Sequence, residues 1–85
     1  MHHEYKTKNV CSREILFDLE GDTVHNIEFI GGCNGNLKAI SKLLEGKTVQ
    51  YIAQMLSGNS CGGRPTSCAD QLAIAVTRAY AEENP

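Results

Sequence analysis

The 85-residue sequence predicts an α+β domain, in which a small antiparallel sheet of two or three strands precedes three helices packed on one face. Two patterns support this prediction. Apolar and polar residues alternate between residues 15 and 30, which is typical of half-buried strands. From residue 37 onward, apolar residues recur at spacings of three and four, which is typical of amphipathic helices. Strands followed by helices indicate a sheet with all helices on one side.

Two of the strands form a predicted hairpin. Gly21-Asp22 suits a two-residue turn between strands, and residues 24–30 follow as the return strand. Residues 1–9 are polar and are expected to form a flexible end or an edge strand through Tyr5. The predicted inward face is formed by Ile15, Phe17, Leu19, Ile27 and Phe29.

Three helices follow the hairpin. Their apolar positions are Leu37, Ile40, Leu43 and Leu44 in the first, Val49, Ile52, Ala53 and Leu56 in the second, and Leu72, Ala75, Val76 and Ala79 in the third. A residue able to cap the helix precedes each one: Asn34 or Asn36, then Thr48, then Thr66 or Ser67. The apolar residues outside these stripes, which would suit a homodimer or partner surface, are Leu16, Val24, Ile30, Tyr51 and Tyr80.

Length and charge narrow the class of protein. Residues 1–85 are expected to form one domain. Eight Lys and Arg against ten Asp and Glu give a net charge of −2, which argues against binding nucleic acid through phosphate neutralisation. No apolar run approaches the roughly 18 residues that span a bilayer, and no secretory leader is evident. We therefore expect a cytoplasmic protein without a membrane partner.

Four cysteines carry most of the functional signal: Cys11, Cys33, Cys61 and Cys68. Disulfides are rare in the cytosol, which leaves buried free thiols or a shared metal. Zinc is held by four thiolates, and its binding free energy adds to the free energy of folding. The spacing alone does not decide between free thiols and a metal site, because the closest pair, Cys61 and Cys68, has six residues between its members rather than two.

The positions of the cysteines favour a shared site. Cys11 precedes a predicted strand, Cys33 and Cys61 lie in glycine-rich loops, and Cys68 lies in the first turn of the last helix. None belongs to an apolar stripe, where cysteines that serve only as core residues are expected. We therefore predict that all four bind one zinc ion. Arg13 and Arg64 are candidate hydrogen-bond donors to this site, because four thiolates around Zn²⁺ leave it negatively charged.

The segment TSCAD at residues 66–70 resembles the motif that names the TSCPD domain, with Ala69 in place of proline. The length, the four cysteines and the GGCNGN loop at residues 31–36 are similar to the small stand-alone branch of that family. Larger relatives carry the domain at the C-terminal end of cobalamin-dependent ribonucleotide reductases. The resemblance implies a non-catalytic accessory or interaction module for deoxynucleotide and DNA synthesis, with a ribonucleotide reductase as partner.

The sequence is also similar to iron–sulfur cluster scaffold proteins, which hold metal with cysteines at strand and helix ends. This resemblance implies Cys11, Cys33 and Cys68 as ligands of an iron–sulfur cluster, with Cys61 as an additional one. Ser12 and Arg13 stand where those scaffolds have an aspartate, and four thiolates suit a closed site better than a transferable cluster.

Two further alternatives remain open. Cys61 and Cys68 could form a redox-active disulfide, although the C-x-x-C spacing of such pairs is missing. A nucleotide-binding role as part of a ribonucleoside-diphosphate reductase is implied only by the family link, since no phosphate-binding motif is present. No catalytic residues are predicted for the chain by itself.

Overall fold

The structure is a computed structural model that describes residues 1–7, 10, 12–32, 34–57 and 68–84, without the side chains of Asn34 and Asn36. Six elements occur in the described chain: strands β1 (His2–Lys6), β2 (Ser12–Glu20) and β3 (Thr23–Gly31), then helices α1 (Asn34–Leu44), α2 (Val49–Leu56) and α3 (Cys68–Glu83). The strands form an antiparallel sheet in the order β1-β2-β3. The predicted α+β class is therefore confirmed.

A two-residue turn joins β2 to β3, as the sequence predicts. Glu20 pairs with Thr23, and Gly21 between them has φ +61°. A positive φ at the first central residue matches the right-handed twist of the flanking strands, and glycine adopts it without steric cost.

The helices pack on the inner face of the sheet. α3 contacts β2, α1 contacts β3, and α2 packs against α3. The core between these layers consists of Ile15, Phe17, Leu19, Val24, Ile27, Leu44, Val49, Ile52, Leu72, Ala75, Val76 and Ala79. Both the alternating residues of β2 and the predicted stripe of α3 are thus confirmed as core.

A β-bulge interrupts β3. Leu16 pairs with Glu28, but two residues further along β2 Asp18 pairs with His25, so β3 holds one extra residue here. Asn26 lies in this bulge with φ +55°, a left-handed conformation that asparagine tolerates better than most residues. Its backbone N–H donates to the Glu45 carboxylate at 2.8 Å.

This bulge corrects one sequence prediction. Strict alternation through Ile27 and Phe29 puts Val24 on the outer face, and it was expected among the leftover surface residues. Instead Val24 is fully buried, at 0% exposure. The extra residue changes the phase of the strand, because a shift of one residue reverses the face on which every side chain lies.

A second correction concerns α1. Leu37 and Leu44 are buried, whereas Leu43, predicted on the same apolar face, is 73% exposed. At 100° per residue Leu43 lies about 100° around the helix from Leu44. That direction is exposed to solvent, so the buried face of α1 is narrower than its composition indicates.

The predicted cap of α2 is confirmed. Thr48 has an extended backbone, and its hydroxyl oxygen accepts a hydrogen bond from the backbone N–H of Tyr51 at 3.1 Å. Of the other predicted helix signals, the caps at Thr66 or Ser67 and the side-chain caps at Asn34 or Asn36 lie outside the described residues.

Candidate metal centre

Cys68 is the one predicted metal ligand within the described residues; Cys11, Cys33 and Cys61 lie outside them. It is the first residue of α3 and is half-buried. The side-chain hydroxyl of Ser12 donates a hydrogen bond to its sulfur, with an Oγ–Sγ distance of 3.1 Å. This contact joins the start of β2 to the start of α3 across 56 residues of sequence.

A second bulge directs Ser12 toward that sulfur. Ser12 pairs with Gly31, but Glu14 pairs with Ile30, so Arg13 is an extra residue on β2. Ser12 therefore lies on the inner face, where its exposure is only 2%. Bulges of this kind redirect single side chains at the ends of strands.

The same end of the sheet is held by further contacts of β1 and β2. The backbone N–H of Thr7 donates to the carbonyl of Arg13 at 3.2 Å, and its hydroxyl donates to the carbonyl of Ser12. The Arg13 side chain lies across Gly31, with its Nε 3.4 Å from the point that a Cβ on residue 31 would occupy. Gly31 has φ +82°, so a larger residue there would be strained and in contact with Arg13.

We use the name cysteine end for Ser12, Gly31 and Cys68, which the contacts above bring together. Cys11 precedes Ser12, and Cys33 follows Gly31 by two residues. Among the described residues, no group of three or more His, Cys, Asp or Glu could hold a metal ion. Since three of the four predicted ligands lie outside that part of the chain, the four-sulfur site stays a prediction. Arg64, the other candidate donor, also lies outside it.

A second polar cluster lies at the opposite end of the sheet. The Asp18 carboxylate accepts hydrogen bonds from the Asn26 side-chain amide at 2.8 Å and interacts with the His2 ring at 3.0 Å. The Glu45 carboxylate accepts from the Asn26 backbone N–H at 2.8 Å and contacts the His25 ring nitrogen at 2.7 Å. We call these five residues the bulge cluster.

These contacts shift ionisation in the bulge cluster. The Asn26 amide, followed by His2, lowers the pKa of Asp18 below its ordinary value. The Asn26 backbone N–H, followed by His25, lowers the pKa of Glu45. The hydrogen bond to Asp18 raises the pKa of His2. All three groups are at the surface, so the shifts reflect hydrogen bonding to the charged forms.

Neither the bulge cluster nor the contacts of His3 were predicted from the sequence. His3 stacks on Phe17, with ring centroids 5.5 Å apart, and its side chain is only 14% exposed. Its Nε2 contacts the Glu83 carboxylate at the end of α3. The sequence feature that could have indicated the bulge cluster is Asn26, a turn-forming residue inside an otherwise continuous strand pattern.

Comparison with known proteins identifies the family. A family model described as the TSCPD domain matches residues 2–80, a span that includes all six elements except the end of α3. The chain therefore belongs to the TSCPD domain family, as its motif at residues 66–70 indicates. No curated protein and no solved structure matches it. Of the described helices, none is long and apolar enough to cross a membrane.

Proposed function

We propose that this chain is a zinc-binding module that holds one ion with Cys11, Cys33, Cys61 and Cys68, and that it acts as an accessory or interaction unit of a ribonucleotide reductase. The observation that carries the proposal is the hydrogen bond from Ser12 to the Cys68 sulfur, made at the paired ends of β2 and β3.

Chain connectivity supports a common site. Consecutive Cα atoms are 3.8 Å apart across a trans peptide bond. Cys11 is therefore tied to within one residue of Ser12, and Cys33 to within two residues of Gly31. Ser12 and Gly31 are paired across the sheet, and Ser12 contacts Cys68 directly. Three of the four predicted ligands therefore belong to the cysteine end or lie within two residues of it in sequence, which supports a shared site.

The donor set suits zinc. Four thiolates favour Zn²⁺ or iron–sulfur clusters, and structural zinc sites are closed tetrahedra. Metal-bound sulfur also needs hydrogen-bond donors around it, and the Ser12 hydroxyl is such a donor to Cys68. When bound, zinc would supply a cross-link between β2, the β3–α1 loop and α3, which adds to the free energy of folding.

Metal analysis of protein purified without chelator tests the site. We expect one zinc per chain, four thiols protected from a thiol reagent, and release of all four by EDTA. A brown protein that binds iron and sulfide after anaerobic reconstitution would favour a cluster carrier instead. A metal-free protein with a Cys61–Cys68 disulfide would overturn the metal site in favour of a redox module.

The partner is inferred from family membership. Larger proteins with this domain, by the resemblance described above, are cobalamin-dependent ribonucleotide reductases, so we propose that the chain binds a reductase in the cytoplasm and affects deoxynucleotide synthesis. Binding to the reductase of the same cell can be measured with zinc-loaded chain and with Cys68→Ser as a control. Equal binding by both would show that binding to the reductase does not require the metal site. No binding by either would overturn the accessory role.

A further inference from the structure

We infer that the outer edge of β3 is a docking site for an extended, acidic segment of a partner protein, which adds to the sheet as a fourth strand beside α1. The inference rests on the direction of the backbone groups, the shape of the cleft and its charge. It does not depend on the metal site.

The direction of the β3 backbone follows from the pairing. The backbone N–H of Leu19 donates to the carbonyl of Met1 at 2.8 Å, so odd-numbered residues of β2 direct their polar backbone groups toward β1. Successive residues in a strand alternate in this respect. Phe29 is opposite Ile15 and therefore directs its N–H and C=O away from β2, toward the outer edge.

Among the described residues, backbone and side-chain partners lie against the half of this edge near the hairpin. Near the hairpin, Val24 donates to the Lys47 carbonyl at 2.9 Å and accepts from the Gly46 N–H at 2.8 Å. Asn26 donates to Glu45. Within the described chain no comparable partner lies against Phe29. An edge strand with unpaired backbone groups is a template for another strand.

A cleft of about 400 Å³ runs along this uncovered half, between β3 and α1. Its apolar part is formed by Ile27, Phe29 and Leu37, and its α1 side by Lys38, Ser41 and Lys42. Glu28 also lines the cleft, from a position that alternates with Ile27 and Phe29 along β3, so the lining carries two lysines and one glutamate. Side chains of an added strand would alternate between this cleft and the outer face of the sheet.

The charge on the α1 side of the cleft favours one class of partner. Lys38 and Lys42 are one turn apart on α1 and are exposed. Carboxylates at alternate positions of an added strand would face them, so an acidic segment is favoured by charge complementarity. Pairing through the backbone gives affinity, and the alternate side chains give specificity.

The test uses an acetylated, amidated eight-residue peptide that alternates Glu and Thr. We expect saturable 1:1 binding to the chain as purified without chelator, and at least about ten-fold slower hydrogen exchange at the Phe29 amide. The Asn26 amide, already bonded to Glu45, should be unchanged. The same peptide N-methylated at alternate residues keeps its charge but not its strand hydrogen bonds, and should not bind.

Two variants test whether the positive charge on α1 contributes to peptide binding. Lys42→Glu should weaken binding about five-fold, whereas Lys6→Glu, the same change on the opposite edge strand, should leave it unchanged. Equal binding of the methylated peptide, or of a peptide alternating Lys and Thr, would overturn the inference. The inference would also be overturned if the chain self-associates through Phe29 and the acidic peptide does not reverse that association. Zinc content is measured on the same samples, so failure of the metal proposal would be seen separately.

Discussion

The two ends of the sheet are held together by different chemistry. At the hairpin end, near Gly21, the strands are closed by a tight turn and the β3 edge is bonded to the α1–α2 connection. At the cysteine end, a side-chain hydrogen bond from Ser12 to the Cys68 sulfur links the sheet to α3. The first end is held by backbone hydrogen bonds, apolar packing and the exposed bulge cluster, whereas at the second a buried hydroxyl contacts a half-buried thiol.

This difference separates the part of the molecule that supplies general stability from the part that would carry the proposed metal site. Leu19, Val24, Val49 and Ile52 are fully or almost fully buried near the hairpin end, and that packing requires no ligand. At the cysteine end a small polar side chain is buried beside a thiol. Buried polar contacts are sensitive to the loss of one partner. Changes at the hairpin end should therefore alter stability alike in the presence and absence of metal, whereas changes at the cysteine end should alter metal affinity.

The largest effect is expected from Leu19→Ala. Leu19 is 1% exposed, and truncating a buried leucine lowers the free energy of unfolding by about 2–5 kcal/mol. The loss, measured by urea denaturation, should be the same with zinc and with EDTA. Leu43→Ala, at a position 73% exposed, is the matched control and should change stability by less than about 0.5 kcal/mol. A loss at Leu19 seen only with zinc would contradict the comparison.

At the cysteine end, Ser12→Ala should weaken zinc binding by about 10–100-fold, because a hydrogen-bond donor to a ligand sulfur is removed. This corresponds to about 1.4–2.8 kcal/mol. Competition with a chromogenic chelator measures it. Ser41→Ala is the control, since that hydroxyl donates to the Leu37 carbonyl within its own helix. Unchanged zinc affinity in the Ser12 variant would remove the main support for the metal site.

Thr48→Ala should cost about 1 kcal/mol of unfolding free energy, because the N–H of Tyr51 loses its capping acceptor. Thr77→Ala makes the same chemical change at an exposed helical position, where the hydroxyl only donates back to the Ala73 carbonyl. It should cost nothing measurable in thermal or urea unfolding. Equal losses in the two variants would show that the cap at the hairpin end contributes no specific stability.

The smallest effect concerns pH at the bulge cluster. Asn26→Gly keeps the positive φ and the backbone N–H to Glu45 but removes the amide that bonds Asp18. In NMR titrations the pKa of Asp18 should rise toward its ordinary 3.8, whereas the pKa of Glu45 should stay lowered. A variant in which Asp18 is unchanged would exclude the amide as the cause.

The sign of the associated stability change follows from linkage. Folding lowers the pKa of Asp18, so the charged carboxylate stabilises the fold at pH values above its unfolded pKa. That contribution is lost as the pH falls through the lower folded pKa. Asn26→Gly should therefore show a smaller loss of stability on acidification than the parent chain does.

The sequence predicted the elements better than their exact faces. Helical spacing identified the core of α3, and Gly21-Asp22 identified the hairpin, because both signals are local. Val24 was misplaced because its face depends on one extra residue at Asn26. Leu43 was misplaced because helical spacing does not show where the neighbouring sheet ends.

The candidate site was predictable in part. Family membership and the position of Cys68 at the start of α3 were both read from sequence and are confirmed. The partnership of Ser12 with that sulfur was not predicted, since it depends on a bulge at Arg13 and on contact across 56 residues. Non-local contacts of this kind leave no periodic signal in the sequence.

The paired bulges also limit how this scaffold can be redesigned. A regular β3 that kept all its residues but straightened the bulge at Asn26 would be easier to draw, yet it would put Val24 and Ile27 on opposite faces of the sheet. Straightening β2 at Arg13 without removing a residue would likewise turn Ser12 to the outer face, away from the start of α3. Making both strands regular at their present length would thus expose Val24 to water.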